Sequence, residues 1–179
     1  MMMQPGRIGI VALAGIVALI SSARADDPQN LAAKQAAGLF MQSCIRFAGD
    51  KEGLRDWARK TGLNAVPANV QDRFLYGLPG IVFDASNKVG KFVLVSEDGG
   101  SCSVVAARAK GAGVISDLEQ DLNDAKINFK VTAEKADAEE KALKHREYQA
   151  SQGERKWLLL VSTVKDSDGG QAMLTANSN

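Results

Sequence analysis

Two stretches of this chain are apolar without interruption, Phe92-Val93-Leu94-Val95 and Trp157-Leu158-Leu159-Leu160-Val161, and no other feature constrains the fold as much. Both are rich in β-branched, aromatic or large aliphatic residues and are bounded by turn compositions, so they read as strands. Successive side chains of a strand point to opposite faces, and a sheet with one wet face therefore alternates apolar and polar residues. An unbroken run requires cover on both faces. Helices supply one cover; the second face must meet another helix, line a ligand cavity or contact a partner chain. Phe92, Leu94, Trp157, Leu158, Leu159 and Leu160 are accordingly the candidate interface residues.

The amino terminus bears on address and on domain size. Arg7 supplies a positive amino-terminal region, Ile8 to Ile20 is a charge-free run of 13 residues, and Ala23-Arg24-Ala25 has the small-x-small form of a signal-peptide cleavage site. Residues 1–25 are expected to be removed after Ala25, leaving 26–179 as a single α+β domain with Asp26 at its start. The apolar run falls short of the ~20 residues that span a bilayer, so the expected product is periplasmic or secreted with no membrane span. The chain has 22 Lys+Arg against 21 Asp+Glu; Arg7 and Arg24 lie in the leader, which has no acid, so the remainder carries a formal charge of −1. A near-neutral domain without a basic stripe is a poor nucleic-acid binder, and none is expected as partner.

Export also fixes the chemistry of Cys44 and Cys102, the only cysteines. In an oxidising compartment a pair becomes a disulfide, and a loop of this length contributes about 4 kcal/mol in the chain-entropy picture. With one histidine, His145, and no C-x-x-C spacing, neither a metal site nor a cofactor is expected.

Along the chain, Asp27-Pro28 opens a helix by capping side chain and first-turn proline, and Ala33, Ala36, Ala37, Phe40, Met41, Cys44 and Phe47 form its apolar stripe up to Gly49. Asp50 caps a second helix carrying Leu54, Trp57 and Ala58, closed by Gly62-Leu63. A short helical turn follows over 67–76. Ile81 to Asp84, Lys91 to Ser96 and Ser101 to Arg108 are three strands of a meander, in which Cys102, Val104 and Ala106 share a face. Val114, Leu118, Leu122 and Ala125 mark a central helix, with Ser116 and Glu119 as its capping box. Ile127, Phe129 and Val131 alternate with polar residues as a half-buried strand. Residues 134–144 read as a solvated helix or excursion. Three strands close the chain: His145 to Ser151, Lys156 to Val164 and Gln171 to Ala176. Lys91–Ser96 and Lys156–Ser162 look alike, as two copies of one hairpin recipe. The fold class is an α+β domain: a curved antiparallel sheet of about six or seven strands, with N-terminal helices and one central helix packed on it and one disulfide. Its element order is loosely similar to cone-shaped folds of the nuclear-transport-factor type, a likeness that licenses no function.

Several constellations invite a catalytic reading and each has a plainer one. Ser162-Thr163-Val164-Lys165 and Lys60-Thr61-Gly62 match two motifs of penicillin-binding proteins, but the serine falls on a strand, the K-T-G ends a helix, and the order is reversed. Asp166, Asp168 and Gly169 have too few oxygen ligands for a calcium loop. Glu97 and Asp98 are adjacent on a strand end, so they point apart rather than facing each other across a cleft as a glycosidase pair must. His145 has no nucleophile assignable to it. With no catalytic residue assigned, the function expected is that of an exported, non-enzymatic interaction module that binds a protein partner or self-associates. A small-molecule-binding protein or small enzyme, with Glu97, Asp98 or His145 as acids or bases beside a cavity on the second sheet face, is the alternative.

Overall fold

The computed structural model describes residues 27–136, 143–164 and 170–178. The expected leader, residues 137–142 within the charged segment, residues 165–169 with the Asp166–Gly169 turn, and Asn179 lie outside them.

The chain begins with α1 (Pro28–Phe40), whose start is fixed by Asp27: its Oδ1 accepts from the Gln29 N–H at 3.0 Å. The helix continues through a π-helical turn over Met41–Ile45, where the Ser43 hydroxyl donates to the Leu39 carbonyl at 2.6 Å. Then come α2 (Lys51–Lys60), β1 (Asn64–Ala65), α3 (Ala68–Leu75), β2 (Gly80–Asp84), β3 (Phe92–Glu97), β4 (Cys102–Ala107), α4 (Gly111–Asp124), β5 (Asn128–Ala136), β6 (Leu143–Gln152), β7 (Arg155–Val164) and β8 (Gln171–Ser178). Asp50 caps α2 through the Gly53 N–H, and α2 ends as expected. Gly62 at φ 85° lets its own N–H reach the Arg59 carbonyl and that of Leu63 reach Ala58.

All eight strands form one antiparallel sheet in the order β1-β2-β3-β4-β8-β7-β6-β5. The expected six or seven strands become eight because Asn64–Ala65 pairs with Phe83 and Asp84 at one edge. The two similar segments take equivalent places: β3 and β7 each lie one strand out from the central β4–β8 pair. Register makes this concrete, since Leu94, Val104, Leu174 and Val161 stand opposite one another in a single row across β3, β4, β8 and β7. All four are buried.

That row lies on the face covered by α1, the π turn, α2 and α4. The alanine stripe of α1 allows a close approach: Ala33, Ala36 and Ala37 are fully buried, and α4 presents Gly113, where an added Cβ would come within 3.1 Å of Ala33 Cβ. Phe40, Leu118 and Leu122 fill the space above Phe92, Leu94, Val104, Leu159 and Leu174. Burial on this scale, at roughly 1.5–3 kcal/mol per large side chain, is what holds helices to sheet. The disulfide is formed as expected: Cys44 in the π turn and Cys102 on β4, Cα atoms 5.3 Å apart, join α1's continuation to the centre of the sheet.

Two local expectations fail and a third holds in part. The central helix starts at Gly111, so Ser116 lies inside it and caps nothing; the N-cap is Lys110, with no side-chain cap, and Gly111 sits close against Thr163. Glu119 is taken by the sheet, where its Oε1 accepts from the Tyr148 hydroxyl at 3.0 Å and pairs with Arg146 at 3.3 Å. The strand expected over 127–131 does form as the edge strand β5, with Ile127 buried just before it and Phe129 meeting Tyr148 edge to face, while Val131 is left exposed. Finally, residues 134–136 and 143–144 are strand rather than helix, pairing as Glu134 with Arg146 and Ala136 with Lys144. The expectation for residues 137–142 lies outside the described residues.

Candidate functional site

The second face of the sheet carries Val82, Val93, Val95, Ser103, Val105, Met173, Thr175, Leu158, Leu160 and Ser162, the residues that alternate with the core set. Its cover is partial. Helix α3 crosses β2 and β3, where Leu75 packs on Val82 and Val95 with Phe74, Val66 and Val93 around them. This accounts for the apolar run of β3. Among the described residues no helix covers β8 and β7 on this face, and Leu160 and Met173 stay half-buried while Leu158 is 40% exposed.

Of the six candidate interface residues, the structure thus separates two from four. Phe92, Leu94, Trp157 and Leu159 point into the helix-covered core at 0–2% exposure, which removes them from any docking surface. Leu158 and Leu160 point outward on β7. Sequence periodicity cannot make this choice, because a run apolar at every position gives no parity.

Where α3 stops, the partial cover becomes a groove of about 330 Å³. The helix ends at Tyr76, which adopts the left-handed region at φ 49° and is followed by Gly77 at φ 82°. Only glycine enters that region without cost, so a tyrosine there is strained by ~1 kcal/mol or more. The result is an aromatic ring held 85% exposed at the mouth of the groove. Arg73 and Phe74 form the same wall, while Val105, Leu160 and Met173 line the floor. Ser103 and Thr175 also line it, hydrogen-bonded to each other at 2.8 Å across β4 and β8. Glu97 contributes the carboxylate of the groove. Among the described residues neither Arg73 nor Glu97 makes a side-chain ion pair. The sequence reading missed Arg73, Phe74, Tyr76, Val105 and Met173. The alternation Ala172-Met173-Leu174 carried a usable signal, since a core assignment for Ala172 and Leu174 sends Met173 outward.

Glu97 and Asp98 diverge as adjacent strand-end residues should. Asp98 turns toward the helix side, where the buried Arg55 guanidinium donates to its carboxylate and to the Ser96 carbonyl at 3.0 Å, and Lys51 approaches at 3.9 Å. The hydrogen bond from Arg55 holds the Asp98 carboxyl below its usual range. With its partner committed to structure, this pair is no acid–base couple.

His145 does have a serine. Its Nδ1 lies 2.9 Å from Ser162 Oγ, the two residues standing directly opposite on β6 and β7 on the second face. Ser162 is buried, and neither residue lines the groove. A nucleophile needs an accessible position beside a bound substrate, so this pair reads as a cross-strand contact. The S-x-x-K serine is the same Ser162, on a strand, and Lys60-Thr61-Gly62 forms the end of α2; Lys165 lies outside the described residues.

On the helix side, Tyr148 is buried and its phenol is pushed well above its ordinary value, by burial first and then by the hydrogen bond to Glu119. Among the described residues no three His, Cys, Asp or Glu side chains are grouped to hold a metal ion, and no helix is long and apolar enough to cross a membrane. Comparison with protein families, curated proteins and solved structures finds no match to this chain.

Proposed function

We propose that this chain is an exported, periplasmic or secreted interaction module that docks a protein partner on the second face of its sheet, without catalysis. The observation that carries the reading is the groove between α3 and β7–β8, with Leu158 and Leu160 facing outward on a strand whose alternate residues are core. A strand apolar on both faces but covered on only one leaves surface that an isolated domain gains by burying. The strained, exposed Tyr76 at the groove mouth supports it, because aromatic side chains at a rim are the usual anchors of protein interfaces. Export rests on the leader reading and is supported by the disulfide, a bond of oxidising compartments. A small-molecule site in the same groove is the second reading, favoured by the opposite charges of Arg73 and Glu97 on one small cavity.

The test sets Leu158→Asp and Leu160→Asp against Leu159→Asp and Val161→Asp in the exported protein. In-cell cross-linking should show complexes or self-association with the native chain that the outward pair loses while circular dichroism stays native. The inward pair should unfold. A native chain that is monomeric and uncross-linked, with both pairs unfolding, overturns the docking reading in favour of the enclosed small-molecule site.

A further inference from the structure

A second concavity opens beside the groove, at the β5–β6–β7 end of the sheet, with a volume of about 500 Å³. Register defines its walls. Asn128, Ser151 and Lys156 form one cross-strand row, and Lys130, Gln149 and Leu158 form the next. The intervening Phe129, Ala150 and Trp157 point the other way, and Ala150 and Trp157 are buried in the core at 4% and 1% exposure. The concavity therefore opens on the second face, floored by backbone and walled by two lysines, two amides, a hydroxyl and Leu158.

Its electrostatics are one-sided. No acidic residue lines it. Lys130 and Lys156 occupy diagonally opposite corners, and none of its five polar side chains forms an ion pair or hydrogen bond with a described residue. Two cations and three neutral donors converging on one hollow suit an oxyanion, which would accept from several at once. A lysine on an edge strand also deters sheet-to-sheet pairing, and the bulge between Val131 and Ala133 has the same effect. That role explains Lys130; it leaves Lys156, on the interior strand β7, unexplained.

The two hollows meet on β7, because Leu158 walls this one and Leu160, two residues on along the same face, floors the groove. From this continuity and charge we infer that the partner segment docked on the second face is acidic: its apolar side chains lie over Leu160 and Leu158, and its carboxylates enter between Lys130 and Lys156. This rests on the docking reading above and specifies the partner's chemistry.

The experiment titrates the full disulfide-bonded chain with N-acetyl-Leu-Glu-Leu-Glu-amide, its glutamine counterpart, and inorganic phosphate, and follows backbone amide shifts by NMR. The glutamate peptide should give saturable shifts at Asn128, Lys130, Gln149, Ser151 and Lys156. The glutamine peptide, and the glutamate peptide on a Lys130→Gln/Lys156→Gln chain, should each bind about tenfold more weakly, the worth of two exposed ion pairs. Added salt should have the same direction of effect. Equal binding of both peptides, binding unchanged in the double variant, or no saturable shift overturns the inference. So does phosphate saturating these amides at lower concentration than the peptide, which marks a small-oxyanion site. Cross-linked complexes separate the two levels: loss with Leu160→Asp but not with the double lysine variant keeps docking and rejects the acidic segment. Peptide shifts that depend on the lysines, with complexes indifferent to Leu160→Asp, keep the anion site and reject docking in the groove.

Discussion

Arg55, buried on α2, reaches across to Asp98 in the β3–β4 turn and ties that turn to the helix layer. Asp98 has its carboxyl pKa lowered in the fold, chiefly by this hydrogen bond. A lowered carboxyl contributes stability that is present above its unfolded value and lost as pH falls through the folded one. Asp98→Asn should therefore lower the urea midpoint at pH 7 and have no effect relative to the native chain near pH 2. Equal midpoints at pH 7 would show the pair to be energetically silent.

Asp121 on α4 behaves in the opposite sense. Burial, then the neighbouring Asp117 and Asp124, raise its carboxyl above the usual range against a smaller pull from Lys34. A raised carboxyl destabilises the fold when charged, and the fold recovers that loss as pH falls through the folded value toward the unfolded one. Asp121→Asn should raise the thermal midpoint at pH 7, with the gain fading by about pH 4, where the unfolded carboxyl takes up its proton. A thermal midpoint lowered at pH 7 would contradict this sign.

The disulfide spans 58 residues and both of its cysteines are buried. Replacing both by serine, which avoids a stray thiol, should cost about 2–5 kcal/mol in urea unfolding. Thiol titration of the native chain, folded and then denatured, should find none.

Two helix glycines should respond oppositely to alanine. At Gly111 the new Cβ would sit 2.8 Å from Thr163 Cβ on β7, so Gly111→Ala should destabilise by roughly 1–3 kcal/mol of overpacking. At Gly38 nothing lies within 4 Å, and Gly38→Ala in α1 should stabilise by about 0.5–1 kcal/mol through helix propensity. Parallel urea melts at pH 7 decide both.

What was legible in the sequence was local. Asp27, Asp50 and Gly62 mark helix ends through hydrogen bonds made within a few residues, and those ends stand where expected. Cys44 and Cys102 each lie on an apolar face by short-range periodicity, and as the two cysteines of the chain they pair as expected. The failures arise where a distant element decides. Glu119 looks like a cap until Tyr148 and Arg146 claim it, and residues 134–136 and 143–144 look helical until β5 and β6 pair. The groove was half visible: doubly apolar strands required cover, but which strand α3 would cover depended on how far a helix ending at Tyr76 could reach. Lys130 and Lys156 sit far apart in the chain, and only the register of three strands brings them to one hollow.

The sheet order has a temporal consequence. Strand β4 holds its central place between β3 and β8, a strand that comes four strands later in the chain. A chain emerging in order thus carries an open β4 edge, with its backbone groups unpaired, until α4 and four more strands have followed. Both sulfurs of the disulfide belong to the segment already out. Oxidation at that stage would clamp α1 onto β4 and restrain the half-built sheet while its second half is still missing.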